Sequence, residues 1–389
     1  MKVGFLGIQC DTANLGLAAL AYAGLRLVAE ALPSATEFVL FSINSEVELK
    51  RMQDTLELHD KVIRAVPFYH KRPRAMLNSL REIASCDVVI DFTGGDSFSD
   101  IYGIARLVRK LFHKQLVISA RTPLVLAPQT YGPLKHRISR PWFRHVVNRA
   151  ALVFTRDDLS ADFLHDLTKR EVVVATDVAV MLPWDEGLYE FDQDGPARIA
   201  VNVSGLLWVG GYTGDNQFRL TADYRTYCRE LVSSLLTAGH EVHLVSHVLS
   251  RPWERGEEDD VRAARELHAE YPACVLAPAF ASPTEAKSYI SRMDAFVGAR
   301  MHATIAAFTS GVPTVPVAYS RKFAGFFGNL GYPVLVDLNT SSTDEAITST
   351  LDQLADLDRL RALAKPANAT ALSRIERFRD RLVSLAAGR

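Results

Sequence analysis

Residues 294–319 read DAFVGARMHATIAAFTSGVPTVPVAY: two short apolar runs, AFVGA and TVPVAY, on either side of a helix-length segment. The runs are continuously apolar rather than alternating, as in strands buried on both faces of a parallel sheet. The segment between them, from about Arg300 to Thr309, stops at Ser310-Gly311, and Pro313 bars its continuation. The stretch therefore predicts a β-α-β unit. It also places an arginine and a histidine, Arg300 and His302, at the corner where the strand becomes the helix. A helix start leaves its first N–H groups unpaired and favours negative charge. Arginine adds a planar fork for phosphate or carboxylate, and histidine a proton that can be given up near neutral pH.

The same alternation extends in both directions. KVGFLGI, TEFVLFSI, DVVIDF, TPLVLAP, ALVFT and EVVVAT form one series, and RIAVNVSG, HEVHLVSH, ACVLAP, DAFVGA and TVPVAY a second, with helical patterns between them. Strands alternating with helices imply doubly wound α/β sheets. The acidic, Pro/Gly-containing stretch around MLPWDEGLYEFDQDGPAR has no periodicity and reads as a connection. The expected architecture is two Rossmann-like domains facing across a cleft: residues 1–182, a linker over 183–197, residues 198–370, and a C-terminal helix over 371–389 returning to the first domain.

Composition bounds the function. The 389 residues carry 44 Lys or Arg against 45 Asp or Glu, a formal net charge of -1 that argues against bulk attraction to nucleic acid. Clustering remains open, because a sum says nothing about position. The four cysteines are scattered without a CxxC pair, so a structural zinc site is disfavoured and a reducing compartment suits them. No apolar run is long enough to span a bilayer. A cytoplasmic location is expected.

Candidate site residues gather where expected strands end, which is where ligands bind in open α/β sheets. Asn14 and Gly16 open the first helix without a G-x-G-x-x-G fingerprint, so dinucleotide binding is disfavoured. Gly94, Gly95, Asp96 and Ser97 follow DVVIDF, Gln129 follows TPLVLA, and Arg156 follows ALVFT beside two carboxylates. In the second series, Asn202, Ser204 and Gly205 precede a glycine-rich aromatic loop that reads as a lid, and His247 ends HLVSH. Tyr319, Arg321 and Lys322 add positive charge after TVPVAY.

NLG, GGDSFSD, APQTYGPL, TRDDLS and VGARMHATIAAFTSGVPTVPVAYSRKFAGFFGNLGY, in this order, resemble the polysaccharide pyruvyl transferase family from the first strand to about Tyr332. The R-x-H-A helix start followed by G-V-P and Y-x-x-K is the most specific element. The resemblance implies a GT-B-like fold and transfer of a pyruvyl group from phosphoenolpyruvate to sugar hydroxyls, with a ketal formed and phosphate released. It implies a donor-binding, catalytic Arg300 and a general acid in His302. Lys322, Tyr319, Asn202, Ser204, Gly205 and His247 are then expected around the donor. Asn14, Gly16, Gly94, Gly95, Asp96, Ser97, Gln129 and Arg156 are expected around a glycan acceptor. No metal or resident cofactor is expected, phosphoenolpyruvate being a co-substrate. A lipid-linked acceptor would bring the enzyme against a membrane. Leu17 and Asp96 depart from an acidic residue and a third glycine found in many relatives. The alternatives are a nucleotide-sugar glycosyltransferase of the same fold and a non-catalytic glycan-binding relative.

Overall fold

The protein is described from a computed structural model covering residues 1–68, 73–96, 98–101, 103–192, 194–249 and 259–388. It divides into two compact units. The first comprises Met1–Thr12, Leu17–Met181 and Ala371–Arg389, and the second Ala13–Gly16 and Leu182–Thr370.

The first unit is built on a parallel sheet of seven strands: β1 Lys2–Leu6, β2 Glu37–Leu40, β3 Val62–Ala65, β4 Val88–Asp91, β5 Leu124–Gln129, β6 Leu152–Thr155 and β7 Val173–Val174. Their order is β3-β2-β1-β4-β5-β6-β7, so the winding reverses between β1 and β4. The register pairs Val3 with Val88 and Phe38 on either side. The helix Leu15–Ala31 is apolar around most of its circumference, with Leu20, Leu25, Leu27 and Val28 all buried, as a helix packed on every side must be. Phe5 meets Phe38 edge-on at 5.5 Å and Phe92 in a stack at 6.4 Å. Strand β3 is not anticipated from the sequence. It is short, Val62 is exposed, and Arg64 pairs with Glu37 and Glu82, so its apolar signal is weak.

The second unit repeats the plan with six parallel strands: β8 Arg198–Asn202, β9 Glu241–Leu244, β10 Val275–Leu276, β11 Ala295–Gly298, β12 Thr314–Ala318 and β13 Val336–Asp337. The order β10-β9-β8-β11-β12-β13 reverses between β8 and β11. The opening β-α-β stretch is β11, the helix Met301–Thr309 and β12. Strands β11 and β12 are buried at every position, which accounts for their unbroken apolar character.

The connecting stretch, over residues 183–192 and 194–197, lies along the second unit. Tyr189 donates to Glu285 at 2.8 Å and packs edge-on against Tyr289, and Phe191 packs on His243 and Tyr289. The aromatic residues within its polar sequence hold it there. The C-terminal segment contains two helices, Thr343–Leu354 and Leu357–Ala387. The second begins in the second unit, where Asn368 donates to the Phe308 carbonyl at 2.7 Å. It ends in the first, where Phe378 meets Phe154 edge-on at 4.8 Å and Arg381 pairs with Glu171.

Candidate active site

The second unit places its polar residues at the winding reversal between β8 and β11, the position where open α/β sheets bind ligands. Asn202 ends β8 and Arg300 follows β11, so adjacent strands deliver both. The Asn202 side chain donates to the Val245 carbonyl at 2.8 Å and accepts the Arg300 N–H at 2.9 Å, tying β8, β9 and the corner after β11 together. Arg300 has extended backbone and stands at the N-cap of the helix Met301–Thr309.

Asp260 organises this corner, and the sequence reading did not single it out. Its carboxylate is wholly buried at the start of the helix Asp260–Glu270. It accepts hydrogen bonds from Gly205 N at 2.8 Å, His247 N at 3.1 Å and Val248 N at 3.0 Å. It also takes Arg300 through Nε at 3.1 Å and Nη2 at 2.8 Å. A buried carboxylate is tolerated only when its lone pairs are filled in this way. In the sequence, Asp259-Asp260 reads as an ordinary acidic helix start, and only Asp259 acts as the cap, accepting from Val261 N and Arg262 N. The one local signal was a second adjacent aspartate.

Several residues expected around the donor belong to this network. Asn202 and Ser204 are buried behind the corner. Ser204 caps the short helix Gly205–Trp208 and receives the Tyr224 hydroxyl as acceptor for its N–H. Gly205 lies against the chain at Asp259, where a Cβ would come within 2.2 Å of the carbonyl oxygen. These residues hold the corner in place: Asn202 fixes Arg300, Gly205 binds Asp260, and Ser204 caps the helix beside them. His247 is also buried. Loss of solvent, then the charges of His302 and Arg300, push its pKa down to about 3, so it is neutral and offers a donor no positive charge. The Arg300 side chain is itself buried against Asp260, which fixes it and offsets much of its charge.

His302 occupies the first turn of the helix Met301–Thr309. Its Nδ1 stands 2.5 Å from where a Cβ on Gly16 would project, so the ring lies directly on that glycine. Gly16, with Asn14, was expected on the acceptor side in the first domain; both belong to the second unit instead. Leu15 N donates to the His247 carbonyl and Leu249 N to the Ala13 carbonyl, and Asn14 pairs with Val248 in an antiparallel bridge. The Asn14 side chain accepts from Gly16 N at 2.9 Å. Segment 13–16 is thus clipped to the exit of β9 and forms the floor beneath His302. Nothing in NLG as sequence says which sheet it will join.

Tyr319 and Lys322 follow β12, one strand over from Arg300. The Tyr319 ring packs edge-on against Phe218 at 5.0 Å, which draws the loop after β8 towards this strand end. That loop, expected as a lid, is anchored at its base by buried Trp208, over which Arg225 lies at 5.2 Å. Trp208, Phe218, Tyr224 and Arg225 line an open cavity of about 440 Å³ that includes neither Arg300 nor His302.

In the first unit the winding reversal lies between β1 and β4. Thr93, Gly94 and Gly95 all take positive φ, and Gly94 N donates to the Gly7 carbonyl at 2.7 Å, so the loops after the two strands are in contact. Asp96 is half-buried at the end of this turn, and Ser97 lies outside the described residues. Arg156 and Gln129, expected around the acceptor, are both buried and hydrogen-bonded within the first unit. Arg156 pairs with Asp177 at 2.7 Å, donates to Thr130, and lies beneath Gly95. Gln129 donates to the Asp91 carbonyl at 3.1 Å. A second buried ion pair, also unforeseen, joins Lys114 to Asp91 at 3.1 Å, with Lys114 donating to Thr93 at 2.7 Å.

Two doubly wound parallel sheets with this strand order define a GT-B-like protein, and the fold comparisons agree. The chain is similar in fold to the Anabaena HepE protein solved with UDP and glucose, at TM-score 0.60 and 14% identity, covering 100% of this chain and 99% of that one. It is also similar to the Neisseria meningitidis UDP-GlcNAc 2-epimerase bound to UDP-GlcNAc, at TM-score 0.59 and 12% identity with both chains fully covered. A putative UDP-N-acetylglucosamine 2-epimerase from Listeria monocytogenes matches at TM-score 0.58 and 13% identity, over 95% of this chain and 91% of that one. Comparison with curated protein sequences returned no match. Residues 14–321 match the family described as "Polysaccharide pyruvyl transferase", and the chain belongs to that family.

Proposed function

We propose that the protein transfers a pyruvyl group from phosphoenolpyruvate to two hydroxyls of a sugar acceptor, forming a cyclic ketal and releasing phosphate. The observation that carries this reading is the corner after β11 in a chain of this family. There a histidine sits in the first turn of a helix beside an arginine locked by Asp260. Phosphoenolpyruvate presents a phosphate and a carboxylate, which match the N–H groups and positive end of the helix Met301–Thr309, with Arg300 and Lys322 adding cations. Because Asp260 offsets Arg300, attraction of the donor falls more heavily on the helix and on Lys322, while Arg300 supplies direction.

His302, protonated, gives its proton to the C3 methylene, which becomes a methyl group and leaves C2 an oxocarbenium-like electrophile. One sugar hydroxyl adds to C2, and its proton returns to the imidazole. The C2–O bond to phosphate then breaks, and a second hydroxyl closes the ring, its proton passing to the departing phosphate. Atoms balance as donor plus diol giving ketal plus phosphate. No oxidant or reductant is consumed. Acceptor recognition is assigned to the first unit, at the turn of Gly94, Gly95 and Asp96.

The test is phosphate release from phosphoenolpyruvate in the presence of candidate sugar acceptors, for the wild type and His302→Gln. The variant should lose about 10²–10⁴-fold in turnover, the usual contribution of a general acid, with donor affinity largely kept. Release of nucleoside diphosphate from a nucleotide sugar, with no phosphate from phosphoenolpyruvate, would overturn the proposal.

A further inference from the structure

The near-zero net charge conceals a strong asymmetry. Between Asp100 and Asp157 lie 56 residues with eleven Lys or Arg and no Asp or Glu, which leaves 33 basic against 45 acidic residues in the rest of the chain. Lys114 is neutralised by Asp91 and Arg156 by Asp177 inside the first unit. Arg106, Arg109, Lys135, Arg137, Arg140 and Arg144 are exposed.

The topology gathers much of this charge at one edge. The helix Ile104–Ser119 starts beyond the carboxyl end of β4, and the helix Arg140–Arg149 beyond that of β5, a neighbouring strand. Neither has an acidic residue in its first turn, so the positive end of each helix adds to the arginines there. The loop between β5 and the second helix is held in shape by Asp100. Its carboxylate accepts from Lys135 N at 2.8 Å and His136 N at 2.7 Å, and contacts His136 Nδ1 at 2.9 Å. So held, the loop presents Ile138, 83% exposed, between Arg137 and Arg140, and Asp100 brings the exposed Ile101 into the same neighbourhood.

We propose that this edge of the first unit docks on the surface of an anionic phospholipid bilayer. Arg137, Arg140 and Lys135 lie at the headgroup phosphates, and Ile138 enters the acyl boundary. Charge complementarity selects an anionic partner, and the exposed isoleucine inside a basic collar selects a bilayer over a soluble polyanion, which would leave that side chain without use. No helix among the described residues is long and apolar enough to cross a membrane, so the contact is peripheral. The proposal goes beyond the donor chemistry and stands whichever donor the enzyme uses.

Flotation of the full chain with vesicles tests it, using phosphatidylcholine alone or with about 30 mol% phosphatidylglycerol, in ~0.1 M salt. Binding is expected only to the anionic vesicles and should fall steeply towards ~0.5 M salt as the charges are screened. Arg137→Ser with Arg140→Ser should weaken partitioning roughly 25-fold, about fivefold for each cation removed. Ile138→Ser should weaken it several-fold, and Lys50→Ser, on the helix Glu46–Thr55, should leave it unchanged. Unaltered melting temperatures keep the comparison to the surface. Equal binding to neutral vesicles, indifference to both loop variants, or capture by soluble polyphosphate without vesicle binding would each overturn the proposal.

Discussion

Replacing Gly16 by alanine should separate stability from catalysis in this protein. Gly16 is the second residue of the helix Leu15–Ala31, and its φ is not in the left-handed region. Alanine there restricts the unfolded chain and favours the helix, which ordinarily adds about 0.4–1 kcal/mol of stability. The new methyl carbon, however, would stand 2.5 Å from His302 Nδ1 and 3.0 Å from its Cγ, with Asn14 Oδ1 also at 3.0 Å. Ordinary contact needs about 3.5 Å, so the imidazole must retreat by roughly 1 Å, a displacement that can cost about 10²-fold in rate at a reacting centre. Thermal melting and phosphate release, measured on the same preparation, give both numbers. The expected result is a melting temperature unchanged or slightly raised, with turnover reduced about 100-fold and donor affinity within a few-fold of wild type. A fully active Gly16→Ala enzyme would refute the reasoning, because it would show that the position of His302 over the Ala13–Gly16 floor does not matter.

Three further outcomes follow from the buried charges. Asp260→Asn leaves Arg300 buried against a neutral group and should cost about 3–5 kcal/mol of stability while weakening donor binding, read by denaturant melts and calorimetric titration. Lys114→Met should destabilise by a similar amount because Asp91 loses its counter-charge, whereas Lys114→Met with Asp91→Leu should recover much of it; equal loss in both would contradict the pairing. His113 and His247 both have pKa values pushed down to about 3, chiefly by loss of solvent. Below about pH 6.5 the unfolded chain binds protons that the folded one refuses, so their contribution is fully present above that pH and is lost as pH falls towards 3. The two together should steepen acid destabilisation by roughly 2.7 kcal/mol per pH unit, and His113→Phe, which keeps the ring stack on Phe68, should remove about half of that slope.

The fold was legible wherever burial is two-sided, because β11 and β12 can be nothing but apolar on both faces. It was obscure at the edges, where β3 mixes Arg64 into a four-residue strand and β13 is two residues long. At the site, Arg300 and His302 stood out because polar groups at a strand-to-helix corner are conspicuous. Asp260 did not, because a helix-opening aspartate looks the same whether it meets water or five internal donors. Asn14 and Gly16 were found but given to the wrong unit, since sequence order places them after β1 while backbone hydrogen bonds place them against β9. Arg156, beside two carboxylates in the sequence, suggested an ion pair as readily as a ligand hook, and its partner is the more distant Asp177, which spacing alone does not reveal.

The long final helix carries a consequence for biogenesis. Residues 371–389 belong to the first unit, where Phe378 covers Phe154 on β6. During synthesis the amino-terminal sheet must therefore wait for this distant helix before Phe154 is covered, even though domains usually complete in order of synthesis. A truncation before residue 371 would leave Phe154 uncovered on the earliest-made sheet, so the damage would fall on a part of the molecule synthesised long before the lesion.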